Sequence, residues 1–357
     1  MPRKRSQALI DALRIVAPGT TFREGLDRIP QASMGALIVI GDGPEVLNIC
    51  SGGFLLDAAF TPQRLSELAK MDGAIILAAD ASRIARANVH LVPNPNVPTS
   101  ETGTRHRTAE RVARSIDVPV VAVSEDMAVL TVYVGDDKKP LEPIPRLLSR
   151  ANTALQTLER YKTRLDLTSA ELSTAELEDV VTIRDVVTML QITELVLRIA
   201  DEIESDLVEL GTDGRLVQLQ LEEIVVGVED ERRLVVRDYF HAAGTWDLEA
   251  AMKGLQSLDT EELLDLKLVA DVLHLPGNSS DLEAPLQPRG YRLLSRIPRL
   301  PSVIIGNIVD SFGDLSMILR ANVADLDEVE GVGATRAQAI KDGLSKLTSS
   351  SILDRYS

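Results

Sequence analysis

Apolar residues in the first 140 positions fall into short continuous runs separated by helically spaced stretches. Residues 6–16 carry Leu9, Ile10, Leu13 and Ile15 at helical spacing. Ala36-Leu37-Ile38-Val39-Ile40 reads as a buried strand ended by Gly41-Asp42-Gly43, and residues 46–50 read as another strand-like run containing Cys50. Thr61-Pro62 is a helix start, with the hydroxyl as cap and proline at the first helical position. Residues 75–78, 118–123 and 128–134 read as further strands, with Ser124-Glu125-Asp126 as a tight polar connection. Strands alternating with helices predict an α/β domain: a central mixed sheet flanked by helices.

The pattern changes at Leu141-Glu142-Pro143-Ile144-Pro145, a predicted linker. Leu147, Leu148, Ala151, Leu155, Leu158 and Leu165 then recur near helical spacing. Ser169-Ala170-Glu171-Leu172 and Thr174-Ala175-Glu176-Leu177 look like a new helix start, and a long helical pattern runs from Val180 to Ile199. Gly211-Thr212-Asp213-Gly214 breaks it; a third helix runs from Val217 through Leu221, Ile224 and Val225 toward Val235 and Tyr239, and residues 248–275 add one or two shorter ones. This is an all-α spine. A second linker, Leu275-Pro276-Gly277-Asn278-Ser279-Ser280-Asp281, precedes an internal repeat. Val329-Glu330-Gly331-Val332-Gly333-Ala334 opens a helix-hairpin-helix, and thirty-two residues earlier Ile297-Pro298-Arg299-Leu300-Pro301-Ser302 aligns as a weaker copy. The expected division is 1–140, 141–285 and 286–357, the last a tandem helix-hairpin-helix domain.

Charge sharpens this division. The net charge of −16 is uneven: 16 basic and 16 acidic side chains in 1–140, 13 against 30 in 141–285, and 9 against 8 in 286–357. An acidic middle repels phosphate backbones, which sends any nucleic-acid contact to the C-terminal end. Aromatics make up only 3% of the chain, so the cores are aliphatic and base stacking is not the expected mode of binding. A single cysteine, Cys50, excludes an internal disulfide, no run approaches the roughly 18 apolar residues of a membrane span, and Met1-Pro2-Arg3-Lys4-Arg5 leads into no secretory segment. A cytoplasmic protein without membrane contact is expected. His90, His241 and His274 lack partners at metal spacing, so no zinc site is expected.

The candidate chemistry lies in Gly103-Thr104-Arg105-His106-Arg107-Thr108-Ala109-Glu110-Arg111. Gly103 permits close backbone approach, Arg105 and Arg107 offer forked donors for phosphate oxygens, and Thr104 and Thr108 add hydroxyls. The residues from Thr108 read as a helix start whose free N–H groups face an anion. An Arg-X-Arg run alone is more often a solvated face, and Asp72-Gly73 alone more often a plain turn. The pair is more specific than either. Asp72 stands at the entrance of the strand after Gly73, and a carboxylate beside a phosphate cradle suits Mg²⁺ (or Mn²⁺), which takes one or two protein carboxylates plus phosphate oxygens. His106 either donates to a phosphate oxygen or shapes the loop.

Asp72-Gly73-Ala74 followed by Gly103-Thr104-Arg105-His106-Arg107-Thr108-Ala109 resembles the paired signature of diadenylate cyclases, and the layout of the whole chain resembles the DNA-integrity scanning protein (DisA) family. Ser51-Gly52-Gly53-Phe54, Ala87-Asn88-Val89-His90-Leu91-Val92-Pro93 and Val121-Ala122-Val123-Ser124-Glu125 are also similar to it; Asp126 stands where a second Glu is expected. The resemblance implies that two ATP molecules are joined into cyclic di-AMP with release of two pyrophosphates, at a two-fold interface between cyclase domains. It implies Asp72 as metal ligand and catalytic residue, and Gly73, Leu91, Thr104, Arg105, His106, Arg107 and Thr108 as ATP contacts, Gly73 and Leu91 touching adenosine. It further implies a homo-octamer of face-to-face tetramers and inhibition by branched DNA in a DNA-damage checkpoint.

For the hairpin, Gly331, Val332 and Gly333 are expected to reach a DNA phosphate through backbone N–H groups, with Thr335, Arg336 and Lys341 as helpers. The other reading of these glycines is an ordinary helix–helix turn. Pro301 has no N–H to offer, which leaves the first copy a structural part. The alternative reading of the whole chain is a DNA-binding scaffold with a regulatory or inactive nucleotide site; a repair nuclease or ligase lacks its catalytic cluster.

Overall fold

The computed structural model describes residues 5–125, 127–240, 248–275 and 281–354. Asp126, His241, the middle of the 275–281 linker and residues 1–4 lie outside them. The chain forms two compact units, 2–154 with 202–220 and 155–201 with 221–357.

In the first unit the elements run α1 (Gln7–Ile15), α2 (Thr21–Gln31), β1 (Ala36–Ile40), α3 (Pro44–Asn48), β2 (Cys50–Ser51), β3 (Phe54–Ala59), α4 (Pro62–Leu68), β4 (Ala74–Leu77), β5 (Arg83–Leu91), α5 (Thr104–Ile116), β6 (Val120–Val123), β7 (Leu130–Val134) and β8 (Asp137–Pro140). The strands form one mixed sheet in the order β2-β5-β4-β1-β6-β7-β8, with β3 also paired to β5. Among the described residues only β1 and β4 pair in parallel, in the register Leu37 to Ala74 through Ile40 to Leu77; the other pairs are antiparallel.

Side chains alternate across a strand, and here both faces are buried. Ile38, Ile40, Ile75, Leu77, Val121 and Val123 pack under α1, α2 and α4 through Leu13, Leu26, Ile29 and Leu65. Leu37, Val39, Ala74, Ile76, Val120 and Ala122 pack under Ala109, Val112 and Ala113 of α5. Two buried faces explain why these strands read as continuous apolar runs. The 46–50 run behaves differently. Gly43 and Pro44 start a short helix, α3, which buries only Val46, and the strand there is just Cys50–Ser51.

Beyond residue 141 the described chain is helical: α6 (Ile144–Glu178), α7 (Ile183–Leu210), a 3₁₀ turn (Gly211–Gly214), α8 (Arg215–Val225), α9 (Val228–Tyr239), α10 (Leu248–Ser257), α11 (Thr260–Leu264), α12 (Leu266–Val272), α13 (Tyr291–Ser295), α14 (Ser302–Phe312), α15 (Leu315–Arg320), α16 (Val323–Asp327) and α17 (Gly333–Asp354). The helix start expected near Ser169 does not exist, because α6 runs through it. Ser173 and Thr174 donate back to the carbonyls of Ser169 and Ala170, at 2.7 and 3.1 Å, instead of capping a new helix. Pro145 sits in the first turn of α6, where a missing N–H costs nothing. Among the described residues no helix is long and apolar enough to cross a membrane.

The second unit holds the hairpins. Ile297, Ile304, Ile308, Ile318, Leu326, Val332, Ile340 and Leu344 share one aliphatic core. The two hairpins repeat in geometry. Gly331 and Arg299 both adopt left-handed backbone (φ 81° and 63°), and Val332 N–H to Val329 O (3.0 Å) matches Leu300 N–H to Ile297 O (3.3 Å). A buried ion network lies where α6, α9 and α13 meet. Arg292, 0% exposed, donates to Glu176 Oε2 (2.6 Å) and Glu231 Oε1 (2.8 Å), and Asp238 accepts from the N–H groups of Gly290, Tyr291 and Arg292. Burial pushes the Asp238 carboxyl up to about 7.

Candidate nucleotide site

A cleft of about 610 Å³ opens on α5, at the starts of the parallel pair β1 and β4 and beside the ends of β5 and β6. Such a volume holds one small-molecule ligand. Gly73, Leu91, Thr104, Arg105, His106 and Thr108 line it, together with Leu37, Ala74, Val89, His90, Glu101, Ser124, Glu125 and Met127. Asp72 is exposed beside the lining residue Gly73, and Arg107 is exposed and not in the lining.

Helix α5 explains this sorting. It begins at Thr104, with Gly103 as cap, and not at Thr108. Arg107 N–H is the one that bonds back to Gly103 O, at 2.9 Å. The N–H groups of Thr104, Arg105 and His106 therefore have no partner within the helix and can meet an anion. At 3.6 residues per turn, Arg105 and Arg107 lie about 200° apart, and of the two only Arg105 is in the cleft lining. Thr104 and Thr108 share a face, and Thr108 Oγ1 donates to Thr104 O at 2.9 Å.

Two glycines shape the walls. Gly73 has φ +105°, and a Cβ there would lie 2.9–3.0 Å from the backbone of Asn88 and Val89, so no other residue fits unstrained. Gly35 seats Arg105: a Cβ on it would lie 2.1 Å from Nη1. Arg105 is half-buried, and among the described residues its guanidinium has neither a hydrogen bond nor an acidic partner. The first turn of α5 contains no acidic residue. Cations at the positive end of a helix dipole are unfavourable by themselves and favourable once an anion arrives.

Residues without an assigned role in the sequence reading hold the cleft together. The buried Glu110 carboxylate accepts from Thr99 Oγ1 (2.5 Å) and Ser100 N–H (2.9 Å), Arg111 donates to Val97 O (3.0 Å), and Arg114 to Pro98 O (2.8 Å). Segment 97–101 is thus strapped to α5. At its end Glu101 Oε1 accepts from Tyr133 Oη (2.7 Å) and pairs with Lys138. The only signal for the strap in the sequence was Glu110, Arg111 and Arg114 on adjoining helical positions.

The charges follow from these contacts. Burial raises Glu110, but the donors from Thr99 and Ser100 and the nearby Arg114 outweigh it and hold the carboxyl below its usual value. Burial likewise raises Glu101, and Lys138 and Tyr133 bring it lower. His106 is lowered, chiefly by burial; Arg105 and Lys138 lower it too, while Glu101 opposes.

The DNA candidates sort as well. Gly331 and Gly333 have φ +81° and +62°; Gly333, Thr335 and Arg336 are exposed and Val332 is buried. Arg336 donates to Gly331 O at 2.6 Å. Lys341 Nζ is bound to the carbonyls of Leu319 and Ala321 (2.7 and 2.6 Å), closing the C-terminus of α15.

A mixed α/β module with a phosphate-suited helix start, followed by a helical linker and paired hairpins, defines a class of nucleotide-binding protein. The family model described as DisA bacterial checkpoint controller nucleotide-binding matches residues 23–138, and that described as DisA bacterial checkpoint controller linker region matches 141–282. The chain is 52% identical to a DNA integrity scanning protein DisA of Frankia alni, over 96% of each chain. It is 51% identical to that of Acidothermus cellulolyticus (99% of this chain, 97% of the relative) and 50% identical to that of Streptomyces coelicolor (97% and 93%). The chain belongs to the DisA family. At family level this carries diadenylate cyclase activity coupled to DNA sensing. A crystal structure of DacA from Staphylococcus aureus is 23% identical, with a TM-score of 0.26 over 38% of this chain and 83% of that one.

Proposed function

We propose that the chain condenses two ATP into cyclic di-AMP and two pyrophosphates in the cytoplasm, and that its hairpins report DNA structure to that reaction. The half-buried, unpartnered guanidinium of Arg105 at the free N–H groups of α5 carries the reading. It is a cradle for a polyphosphate. One cleft holds one ATP, so the reaction needs two clefts facing each other across a two-fold axis. Each 3′ oxygen then bonds to the other nucleotide's α-phosphorus, each α–β bridging bond breaks, and two pyrophosphates and two protons leave. Positioning of this kind can supply up to about 7–11 kcal/mol of the barrier.

Arg105, Thr104 and Thr108 are assigned to the triphosphate, Arg107 to the outer phosphates or the facing subunit, His106 to a phosphate oxygen, and Gly73 and Leu91 to adenosine. Asp72, exposed at the mouth, fits a Mg²⁺ or Mn²⁺ ion that takes one protein carboxylate plus phosphate oxygens; bound there, the ion neutralises phosphate charge. The division into 1–140, 141–285 and 286–357, an octamer of face-to-face tetramers, and branched DNA held at Gly331, Val332, Gly333, Thr335 and Arg336, with Lys341 behind them, complete the proposal.

Incubation with ATP and Mg²⁺ or Mn²⁺, with and without a four-way junction, tests it alongside a solution mass. A cyclic dinucleotide is expected. Unchanged ATP would return the chain to a DNA-binding scaffold.

A further inference from the structure

Glu101 is an acidic residue in the wall of a cleft built for phosphate, and nothing in the proposed chemistry uses it. Its surroundings are constructed. Tyr133, buried in β7, gives its hydroxyl to Oε1 at 2.7 Å, and Lys138 from β8 pairs with the same oxygen. Oε2 takes no hydrogen bond among the described residues. The Tyr133 ring that orients Glu101 also meets the edge of His106, centroids 6.4 Å apart at 70°. Next along β8, Lys139 pairs with the buried Glu209 at 2.9 Å, which pins the strand that carries Lys138. Glu101, Tyr133, Lys138 and His106 therefore form one connected group reached from four elements.

We propose that Glu101 is a positioning residue of the nucleotide cleft: anchored by Tyr133 and Lys138, it fixes the end of the 97–101 strap and sets the charge and orientation of His106. The groups acting on the imidazole are Glu101 from the strap, Arg105 on its own helix, Lys138 from β8, and the Tyr133 ring from β7. Glu101 favours the imidazolium; Arg105 and Lys138 disfavour it, in line with burial. The inference deepens the nucleotide-site reading and rests on it for its consequence, not for its test.

The test is a titration of labelled histidine by NMR in the full-length protein, the chain having only four histidines. His106→Gln assigns the signal. In Glu101→Gln, which preserves shape and an acceptor for Tyr133, the His106 midpoint should fall by about half a pH unit or more. In Lys138→Met it should rise. A residue that merely held the fold would shift both variants alike, so opposite signs are diagnostic. The pH at which ATP affinity changes should follow the midpoint in each variant. Midpoints that stay put, or move together, overturn the proposal. Midpoints that move oppositely in a protein yielding no cyclic dinucleotide leave the positioning role standing and remove the cyclase reading.

Discussion

Arg105 and Gly35 act as one feature at the residue scale. The absence of a Cβ at position 35 makes room for the guanidinium, so Gly35→Ala should shift it from this seat and weaken ATP binding by less than its removal does. Arg105→Ala should weaken ATP binding about tenfold or more, the loss of a charge-assisted fork, with little change in melting temperature. Arg107→Ala should cost less in an isolated cleft, since its side chain lies round the helix; equal losses in calorimetric titrations would contradict the orientation of α5. Asp72→Asn should abolish product while ATP binding partly survives. Gly73→Ala combines positive φ with a backbone clash and should destabilise by about 1–3 kcal/mol in thermal denaturation. The types of Asp72, Gly73, Arg105 and Arg107 were legible in the sequence, and Gly35 was not. Their division into cleft-facing and exposed was not, because it depends on where α5 begins. Gly103, with extended backbone, caps a helix that begins four residues before the start read at Thr108.

The strap belongs to the scale of elements. A helix whose polar face binds an adjacent loop can hold one wall of a site in place while its apolar face sits on the sheet. Glu110 is central to this, since its carboxylate holds two donors and is buried. Its folded value is lowered, so its contribution is present above the usual 4.5 and is lost as pH falls through the lowered value. The difference in melting temperature between the protein and Glu110→Gln should therefore be largest near neutral pH and shrink below about 4.5. Hydrogen exchange at Ser100 and Glu101 should speed up in the variant at pH 7. The sequence marked a helix start at Thr108 with Glu110, Arg111 and Arg114 on adjoining positions, but that spacing does not say that these three polar residues reach back 10 to 16 positions.

Over the whole molecule, the buried charges around Arg292 link the spine helices to the first hairpin within the second unit. Arg292→Met would leave the buried Glu176 without its ion-pair partner and Glu231 with Arg296 alone, and should destabilise that unit by about 3–5 kcal/mol. DNA binding should fall with it while ATP still binds the first unit; calorimetry and a junction-binding assay check both. Cutting the chain at 286 would expose the same carboxylates, so point changes at Gly331 and Arg336 are the cleaner probe of the hairpin. A neutral-to-basic end following a strongly acidic middle already pointed there.

The sequence by itself determined what depends on local order: apolar runs that become doubly buried strands, glycines where the backbone turns left-handed, and the residue types a phosphate requires. Only the tertiary structure decided what depends on distant parts meeting. It brought Glu101 to Tyr133 and Lys138, seated Arg105 on Gly35 and turned Lys341 onto the end of α15. A side chain's neighbours across a sheet, or between helices, are set by packing of the whole core, and no pattern within a short window of chain encodes them.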